Sequence, residues 1–335
     1  MGKPEMIRYG IIGAGLIGKK RAACLQPQQL SLVCDANPAR AESLVAQLGH
    51  GRVAASPDEV LRDSTIEAVI VSTRHDSLAP LTLQAIQAGK HVLVEKPAGR
   101  NAAELVPLIE AERRHNVRVR VGYNHRFHPA LLEARRIVDS GALGPLMFLR
   151  SRYGHGGRLG YEKEWRAQPA ISGGGELIDQ GVHLIDLARW FLGEFPHVHG
   201  TVATLFWNMP VDDNAFLELK TASGQVAWLH ASCSEWKNLF SLEIYGRSGK
   251  LQIDGLGGSY GPERLVHYRM KPEMGPPETE TREFPSSDLS WRHEMEAFEH
   301  DIATNKPSSP GLQDALAALE IVDNIYRQNN TPRAA

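Results

Sequence analysis

The sequence predicts an α/β protein in which a doubly wound parallel sheet is followed by an α+β domain with a large, mainly antiparallel open sheet. Three observations support this prediction. Short apolar runs alternate with helical segments up to about residue 122, a glycine-rich turn follows the first run directly, and period-two runs replace the alternation after Tyr123. Alternating strands and helices are typical of right-handed crossovers in a parallel sheet, whereas period-two runs joined by tight turns favour antiparallel pairing.

Length and composition favour two domains and a small-molecule partner. The 335 residues are enough for two cores. We assign 1–122 to the first domain, 123–328 to the second and 329–335 to a tail. The formal net charge of -2 gives no field that would attract nucleic acid or a membrane surface. The three cysteines form no CxxC pair, so we predict free thiols, no metal site and a cytoplasmic location.

Capping and terminating residues mark the ends of several predicted helices in the first domain. Gly49 and Gly89 end two helical segments, and Asn101 with Glu104 three residues later forms an N-cap signal. The predicted strands are 7–12, 30–35, a short one near 53, 67–72, 91–95 and 117–122. The predicted helices follow the glycine turn and cover 38–48, 78–88 and 101–115, with a capped turn at 56–59.

The second domain combines a few helices with hairpin-linked strands. Helices are predicted at 129–139, 176–191, 288–303 and 312–326, and period-two runs at 197–207, 213–220, 225–232 and 239–246. The turns at 222–224 and 246–249 suit hairpins. The Pro- and Gly-rich stretch 255–285 is predicted to form peripheral strands and loops.

The glycine turn is the first candidate site. Gly13 allows a tight turn after the first strand, Gly15 allows backbone to approach a pyrophosphate, and Gly18 allows close helix packing. The helix N-terminus then offers N–H groups to the anion. Asp35 ends the second strand, where a carboxylate binds the adenosine ribose hydroxyls and repels a 2′-phosphate. NAD is therefore the predicted cofactor, although Arg40 leaves NADP open.

Glu95-Lys96-Pro97 is the second candidate site. It follows a predicted parallel strand at the edge where open α/β sheets bind ligands. Proline after lysine makes a cis peptide bond possible, which would direct the lysine side chain. The alternative is a solvated charged loop.

The third candidate lies on the helix predicted at 176–191. Asp179 and His183 are four residues apart and share one helix face, so the carboxylate can orient the imidazole. A histidine oriented in this way is a common general acid or base. The alternative is a core histidine bonded by its neighbour. The triple glycine 173–175 before the helix is interpreted as permitting close ligand approach rather than packing.

A basic, aromatic segment precedes that helix and is predicted to be a loop. It contains Arg150, Arg152 and Arg158, and Trp165 and Arg166 follow. Several arginines could clamp a carboxylate or phosphate of the substrate. They could equally form a solvated rim or a subunit contact.

Together these motifs resemble the glucose-fructose oxidoreductase / inositol dehydrogenase / rhizopine catabolism (Gfo/Idh/MocA) family. The likeness covers nearly the whole chain. The matching residues, in family order, are the Gly-Ala-Gly-Leu-Ile-Gly turn, 88–97 with Glu-Lys-Pro, Asn124-His-Arg-Phe-His-Pro129, the triple glycine, Asp179, Gly181, His183, Asp186, Trp190 and Gly193. The resemblance implies a Rossmann domain, a second domain whose open sheet builds a homodimer or homotetramer, and NAD(P)-linked interconversion of a secondary alcohol and a ketone on a sugar, polyol or nucleotide sugar.

The resemblance also implies roles for individual residues. Lys96, Asp179 and His183 are the catalytic residues: His183 takes the hydroxyl proton, Lys96 polarises the oxygen, and Asp179 holds the geometry. The predicted cofactor-binding residues are Gly13, Gly15, Leu16, Ile17, Gly18, Asp35, Thr73, Arg74, His75, Glu95 and Lys96. The predicted substrate-binding residues are Lys96, Asn124, Arg126, Arg152, Arg158, Trp165, Arg166, Asp179 and His183.

Two other functions stay open, and one departure from the family limits the comparison. Some relatives cleave glycosides through transient oxidation by NAD, and others are non-catalytic ligand sensors. This chain has Thr73-Arg74-His75 where many relatives have Thr-Pro-Asn, which puts borrowed details of that loop in doubt. The arginine-rich segment favours an acidic or phosphorylated sugar, with Arg158 or Arg166 contacting the anionic group.

Overall fold

The computed structural model describes residues 6–285 and 287–331, which contain two sheets. The first sheet has strand order β3-β2-β1-β4-β5-β6 and the second β14-β13-β12-β11-β7-β10-β9-β8. Chain contacts divide the molecule into two compact units. The first joins the described residues up to Tyr123 with Trp291–Ala317, and the second joins Asn124–Ser290 with the described residues from Ala318 onward.

The first unit is built on the parallel sheet. Its strands are β1 (Tyr9–Ile12), β2 (Leu30–Cys34), β3 (Arg52–Val53), β4 (Ala68–Val71), β5 (His91–Glu95) and β6 (Val119–Gly122). The helices between them are α1 (Leu16–Ala22), α2 (Pro38–Leu48), α3 (Pro57–Arg62), α4 (His75–Gln87) and α5 (Val106–His115). Strand order reverses between β1 and β4, and the carboxyl ends of strands at such a switch point form the usual ligand crevice.

The second unit is built on the other sheet. Its helices are α6 (Pro129–Asp139), α7 (Pro169–Ser172) and α8 (Val182–Leu192), and α9 (Ser290–Thr304) and α10 (Leu312–Gln328) follow the sheet in the chain. Its strands are β7 (Leu146–Gly154), β8 (His197–Ala203), β9 (Asn214–Lys220), β10 (Val226–Ser232), β11 (Leu239–Gly246), β12 (Gly249–Asp254), β13 (Glu263–Arg269) and β14 (Glu278–Phe284). β7 and β10 pair in parallel and the other pairs are antiparallel.

Each sheet packs an apolar face. In the first unit, Met295 and Phe298 of α9 join the cluster that contains Tyr9 and Ile11 of β1. In the second unit, α8 packs on β7 and β10, and α6 packs on β12 to β14. Alternate residues of β9, β10 and β11 are buried, so one face of this sheet forms the core and the other is exposed.

The structure confirms the fold class and most predicted elements. The helices that begin at Pro38, Pro129 and Leu312 start where the sequence predicts, and the 222–224 and 246–249 turns join antiparallel strands. The stretch 255–285 contains the peripheral strands β13 and β14, as predicted. The predicted tail lies partly outside the described residues, since 332–335 are not described.

Two predictions about local structure were wrong. The basic segment predicted as a loop begins inside β7, a central strand of the second sheet. Arg150 and Arg152 lie on the exposed face of this strand, and the alternating residues Leu149, Ser151 and Tyr153 are buried. The helix predicted at 176–191 is not regular: Leu177–Gly181 form a π-helical turn, and α8 follows it. Within the described residues no helix combines the length and apolar character needed to cross a membrane.

Candidate active site

The glycine turn joins β1 to α1 as predicted, and two of its glycines are required by contacts with the protein itself. Gly13 has φ +105°, and a Cβ there would lie 2.4 Å from the carbonyl oxygen of Ser72. A Cβ on Gly18 would lie 2.0 Å from the carbonyl oxygen of Gly13. Such distances are far inside van der Waals contact, so the turn packs against the end of β4 only with glycine at both positions.

Gly15 differs because its Cβ position is open. A Cβ there would have no atom of the described residues within 4 Å, and the backbone has φ -72°, which any residue can adopt. Since the fold does not need glycine here, the bare backbone is free for a ligand to approach. The turn therefore fits a dinucleotide pyrophosphate, with Gly15 as the position of closest approach.

Asp35 is tied to the same turn. Its Oδ2 accepts a hydrogen bond from the Ala14 N–H at 2.7 Å, and its Oδ1 accepts one from the Asn37 N–H at 2.8 Å. The carboxylate at the end of β2 thus lies directly beside the glycine turn, which is the arrangement needed for a ribose-binding acid in a Rossmann fold.

The other predicted cofactor-binding residues flank the β1 and β4 ends. Leu16 is 74 % exposed at the start of α1, and Ile17 is half-buried. Thr73 precedes α4 and its hydroxyl accepts a hydrogen bond from Ser77 Oγ at 3.0 Å. Arg74 forms an exposed ion pair with Asp76, while His75 is buried.

Glu95 lies in a buried ion-pair network of the first unit. Arg21 of α1 donates to its Oε1 from Nε at 2.8 Å and from Nη2 at 2.6 Å, and Arg21 Nη1 lies 2.6 Å from Glu294 Oε2 of α9. Trp291 covers the guanidinium at 4.6 Å. The carboxylate of Glu95 therefore ties the glycine-turn helix to the end of β5.

Lys96 follows Glu95 directly at the end of β5. The Lys96–Pro97 peptide bond is cis. The side chain is half-buried, and the strand in front of it is held by the Arg21 network. The structure thus places Lys96 at the carboxyl edge of the parallel sheet, where the sequence predicts it.

In the second unit, the π-helical turn carries Asp179 and α8 carries His183. Both side chains are buried. Asp179 Oδ2 accepts a hydrogen bond from Arg166 Nε at 2.9 Å. The His183 ring lies 3.8 Å from the His125 ring and 5.9 Å from the Tyr153 ring, measured between centroids. π-helical turns occur frequently at functional sites, which fits the position of Asp179.

Glu176 precedes the π-helical turn and is a second buried carboxylate. Its Oε1 accepts a hydrogen bond from the Tyr161 hydroxyl at 2.8 Å and lies 3.7 Å from His155 Nε2. Burial, together with the nearby Asp179 carboxylate, raises the pKa of Glu176 to about 8. Burial thus favours the protonated form of Glu176, whereas the Asp179 carboxylate pairs with Arg166.

The triple glycine was interpreted wrongly. A Cβ on Gly174 would lie 2.3 Å from the Tyr326 hydroxyl, and one on Gly175 would lie 1.9 Å from the carbonyl oxygen of Asp212. Asp212 accepts hydrogen bonds from the N–H groups of Gly175 and Leu177 at 3.0 and 2.8 Å. These glycines therefore allow the chain to pack on itself at the start of the π-helical turn.

Asn124 and Arg126, both predicted to bind substrate, make buried contacts within the second unit. Asn124 Nδ2 donates to Ser290 Oγ at 2.9 Å. Arg126 donates to both carboxylate oxygens of Asp186, at 2.8 and 2.6 Å, and both side chains are buried. Arg126 thus holds the turn after β6 against α8.

The predicted arginine cluster does not come together as one group. Arg152 lies on the exposed face of β7, opposite to the neighbouring Tyr153. Arg158 pairs with Glu164 at 2.7 Å, and Arg166 lies 4.5 Å from the centroid of the Trp165 ring while it binds Asp179. Arg166 thus directly contacts Asp179, a predicted catalytic side chain.

Sequence reasoning missed several residues of these surroundings, including Arg21, His125, Tyr153 and Glu176. His125 stands inside the Asn124-to-Pro129 motif and Glu176 directly follows the triple glycine, so both were within segments already singled out. Tyr153 stands inside the basic, aromatic segment, but only the register of β7 shows that it is buried near His183. No group of three or more metal-ligating side chains that could hold a metal ion is present in 6–285 and 287–331.

Comparison with known proteins gives the family. The model of the oxidoreductase family with an NAD-binding Rossmann fold matches residues 7–123, and the model of the GFO/IDH/MocA C-terminal domain matches residues 131–252. The chain is 30% identical to scyllo-inositol 2-dehydrogenase (NAD(+)) of Bacillus subtilis, over 75% of each protein. The chain belongs to the Gfo/Idh/MocA family of oxidoreductases.

Other relatives match over nearly the full length. Inositol 2-dehydrogenase of Rhizobium meliloti is 28% identical and is aligned over 96% of both chains. Among solved structures, levoglucosan dehydrogenase in complex with NADH and L-sorbose has the same fold, with a TM-score of 0.85 and 23% identity over 98% of this chain and 99% of that one. This Gfo/Idh/MocA chain is thus an NAD-binding oxidoreductase from a family of sugar and polyol dehydrogenases.

Proposed function

We propose that this oxidoreductase oxidises a secondary hydroxyl group of a neutral sugar or polyol to a ketone, and catalyses the reverse reduction, with Lys96, Asp179 and His183 as catalytic residues. The observation that carries the proposal is the buried Asp179 carboxylate, paired with the partly exposed Arg166, one turn before the buried His183. Buried, paired carboxylates next to histidine are typical of acid–base sites.

Each chemical role follows from the side chain that would perform it. His183 accepts the hydroxyl proton on its imidazole, since imidazole changes charge near neutral pH. The Asp179 carboxylate, which accepts a hydrogen bond from Arg166, favours the imidazolium that results. Lys96 Nζ donates a hydrogen bond to the substrate oxygen and stabilises negative charge that develops there. Bound NAD would supply the hydride acceptor for this oxidation.

The contacts of the arginines favour a neutral substrate over the acidic one suggested by the sequence. Arg158 pairs with Glu164, and Arg166 pairs with Asp179. Each of these two guanidinium groups thus has a carboxylate from its own chain, so neither has its full charge left for a substrate anion. The names of the relatives also support a neutral substrate, since they include dehydrogenases of inositol, scyllo-inositol and levoglucosan.

The test is a screen for NAD reduction, measured by absorbance of NADH. The panel contains myo-inositol, scyllo-inositol, levoglucosan, common aldoses, uronic acids and UDP-sugars. We expect activity with at least one neutral polyol or sugar. Lys96→Ala and His183→Asn should each lower kcat by roughly 100-fold or more while NADH still binds.

The screen also separates the alternatives. Activity confined to uronic acids or UDP-sugars would contradict the neutral substrate class. Hydrolysis of a nitrophenyl glycoside without net NADH would support the glycosidase instead. If Lys96→Ala and His183→Asn both keep the wild-type rate, the proposed catalytic residues are wrong.

A further inference from the structure

Two exposed aromatic side chains lie together on neighbouring loops of the second unit. Trp236, in the loop after β10, is 80% exposed, and Phe206, in the loop after β8, is 52% exposed. Their ring centroids are 5.1 Å apart and the ring planes are inclined by 75°. This aromatic pair therefore offers solvent a small apolar surface made of two differently oriented rings.

The loop that carries Phe206 is fixed by a buried carboxylate. Asp213 accepts hydrogen bonds from three successive N–H groups at 2.7 to 2.8 Å, those of Leu205, Phe206 and Trp207. The Trp207 indole N–H donates to the carbonyl oxygen of Cys233 at 2.8 Å, which joins this loop to the end of β10. Phe206 is thus held in position before a ligand arrives.

Trp236 is held in a backbone conformation that a bulky residue rarely adopts. Its φ is +61°, in the left-handed region that favours glycine. The loop packs closely on the segment after β7: a Cβ on Gly156 would lie 3.0 Å from the Trp236 backbone, and the Glu235 N–H donates to the carbonyl oxygen of His155 at 3.1 Å. The fold thus accepts backbone strain at an exposed tryptophan, which is typical of a functional position.

A series of contacts connects the aromatic pair to the candidate active site. Phe206 lies 5.1 Å from Trp207, and Trp207 lies 5.6 Å from Tyr161, measured between ring centroids. The Tyr161 hydroxyl donates to Glu176, which stands three residues before Asp179. All of these residues belong to the second unit. The pair is therefore joined by direct contacts to the part of this unit that holds the proposed catalytic carboxylate.

The chemistry of the pair fits a sugar ring better than a protein surface. The C–H groups of a pyranose form an apolar surface that packs on an aromatic ring, while its hydroxyl groups stay in water. The pair and the exposed Leu205 are three apolar side chains, whereas a specific protein interface takes about 20 residues or more on each side. Since the family acts on sugars and polyols, a sugar ring is the ligand to expect beside this site.

We propose that Trp236 and Phe206 bind a second sugar ring, so that the preferred substrate is a neutral glycoside with one ring at the catalytic residues and the next ring stacked on this pair. The inference rests on the proposed function, since it names the substrate class of that oxidoreductase. The Trp236 indole supplies the larger ring face, and Phe206 supplies an inclined wall. A single-ring polyol reaches only the catalytic residues and gains no affinity from the pair.

The test measures binding without turnover, in the complex with NADH, because the reduced cofactor cannot accept a hydride. The probes are cellobiose, maltose, trehalose and lactose, with glucose and myo-inositol as single-ring references, and saturation-transfer NMR gives the affinities. Trp236→Gly removes the ring and suits the left-handed backbone, so it should keep the thermal stability of the wild type. Trp236→Phe keeps an aromatic face. Leu205→Ala is the control, since it removes an exposed apolar side chain beside Phe206 without removing a ring.

We expect at least one disaccharide to bind about 10-fold more tightly than glucose. Trp236→Gly should lose that difference and Phe206→Ala should lose part of it, whereas Trp236→Phe should keep most of it and Leu205→Ala all of it. The affinity for glucose should stay within about 2-fold of the wild type in every variant, because a single ring does not reach the pair.

Disaccharides that bind no more tightly than glucose, or a preference that Trp236→Gly leaves unchanged, would overturn the proposal. An equal loss of glucose affinity would also overturn it, since Trp236 would then act on the first ring. A smaller mass of Trp236→Gly in light scattering would show that a second copy of the chain covers this surface instead. The proposed function fails separately, through a wild-type rate in Lys96→Ala and His183→Asn, and the binding experiment does not depend on that rate.

Discussion

Two neighbouring carboxylates, Glu176 and Asp179, have different surroundings in this site. Glu176 is buried and accepts a hydrogen bond from the Tyr161 hydroxyl, while Asp179 accepts one from Arg166. Burial and the nearby Asp179 raise the pKa of Glu176, whereas Asp179 itself pairs with the Arg166 guanidinium. Different surroundings of this kind allow two neighbouring acids to differ in acidity.

Glu176 should make the protein less stable as the pH rises. Its pKa is raised from 4.5 to about 8 in the folded state. Between those values the unfolded chain has lost the proton and the folded chain keeps it, so the free energy of unfolding falls with rising pH. In Glu176→Gln this contribution is absent, so the fall between pH 5.5 and pH 8 should be smaller than in the wild type.

Urea denaturation at the two pH values measures this difference. Glu110→Gln, at an exposed position of α5, is the matched control and should follow the wild type. Parallel pH dependence in Glu176→Gln and the wild type would show that Glu176 is ionised in the folded protein.

At the scale of secondary-structure elements, buried polar contacts hold the two candidate sites in shape. Arg21 links α1, the end of β5 and α9 through Glu95 and Glu294. Burial and the neighbouring Glu95 raise the pKa of Glu294 to about 7, although Arg21 opposes that shift. Asp212 performs a similar role in the second unit, where it binds the backbone that enters the π-helical turn.

The glycine turn allows ligand binding and folding to be tested separately. Gly15→Ala adds a methyl group to open space, so the free energy of unfolding should change by less than about 0.5 kcal/mol. NADH affinity should fall by about 10-fold or more, because the methyl group occupies the path of the pyrophosphate. Gly18→Ala places its Cβ 2.0 Å from a backbone oxygen and should destabilise the protein by about 1–3 kcal/mol.

NADH fluorescence titration and urea denaturation of both variants give the two readings. Gly18→Ala is the steric control for a methyl group in the same turn. Wild-type NADH affinity in Gly15→Ala would mean that the dinucleotide does not pass over this residue.

At the scale of the whole molecule, the exposed face of the second sheet carries a row of aromatic side chains. Tyr245, Phe148, Trp228 and Phe216 lie on four neighbouring strands, and their registers place them on one face. Trp228 is 61% exposed and Phe216 43% exposed. Exposed aromatic patches of this kind commonly mark protein interfaces. This face is the surface from which we expect a homodimer or homotetramer to assemble.

Trp228→Glu should therefore weaken self-association. A buried carboxylate without a partner costs several kcal/mol at an interface, so the variant should elute as a smaller species than the wild type. Size-exclusion chromatography with light scattering measures the masses. Trp236→Glu changes an even more exposed tryptophan, 80% exposed in the loop after β10, and should leave the mass unchanged. A monomeric wild type would contradict the expected oligomer.

The sequence by itself determined the order of elements, the glycine turn with Asp35, and the positions of Lys96, Asp179 and His183 on a strand end and a helix. Local rules suffice for these features, because caps, turn residues and apolar periodicity act over a few neighbours. The family membership followed from the same motifs.

Only the tertiary structure decided which partners the side chains have. It showed that Arg166 binds Asp179 and that Arg21 binds Glu95. It also showed that the rings of His125 and His183 are in contact, and that the triple glycine packs against Tyr326 and Asp212. It also placed Arg152 on the exposed face of a central strand. These outcomes depend on contacts between segments far apart in the chain, and neither periodicity nor spacing records which segments pack together.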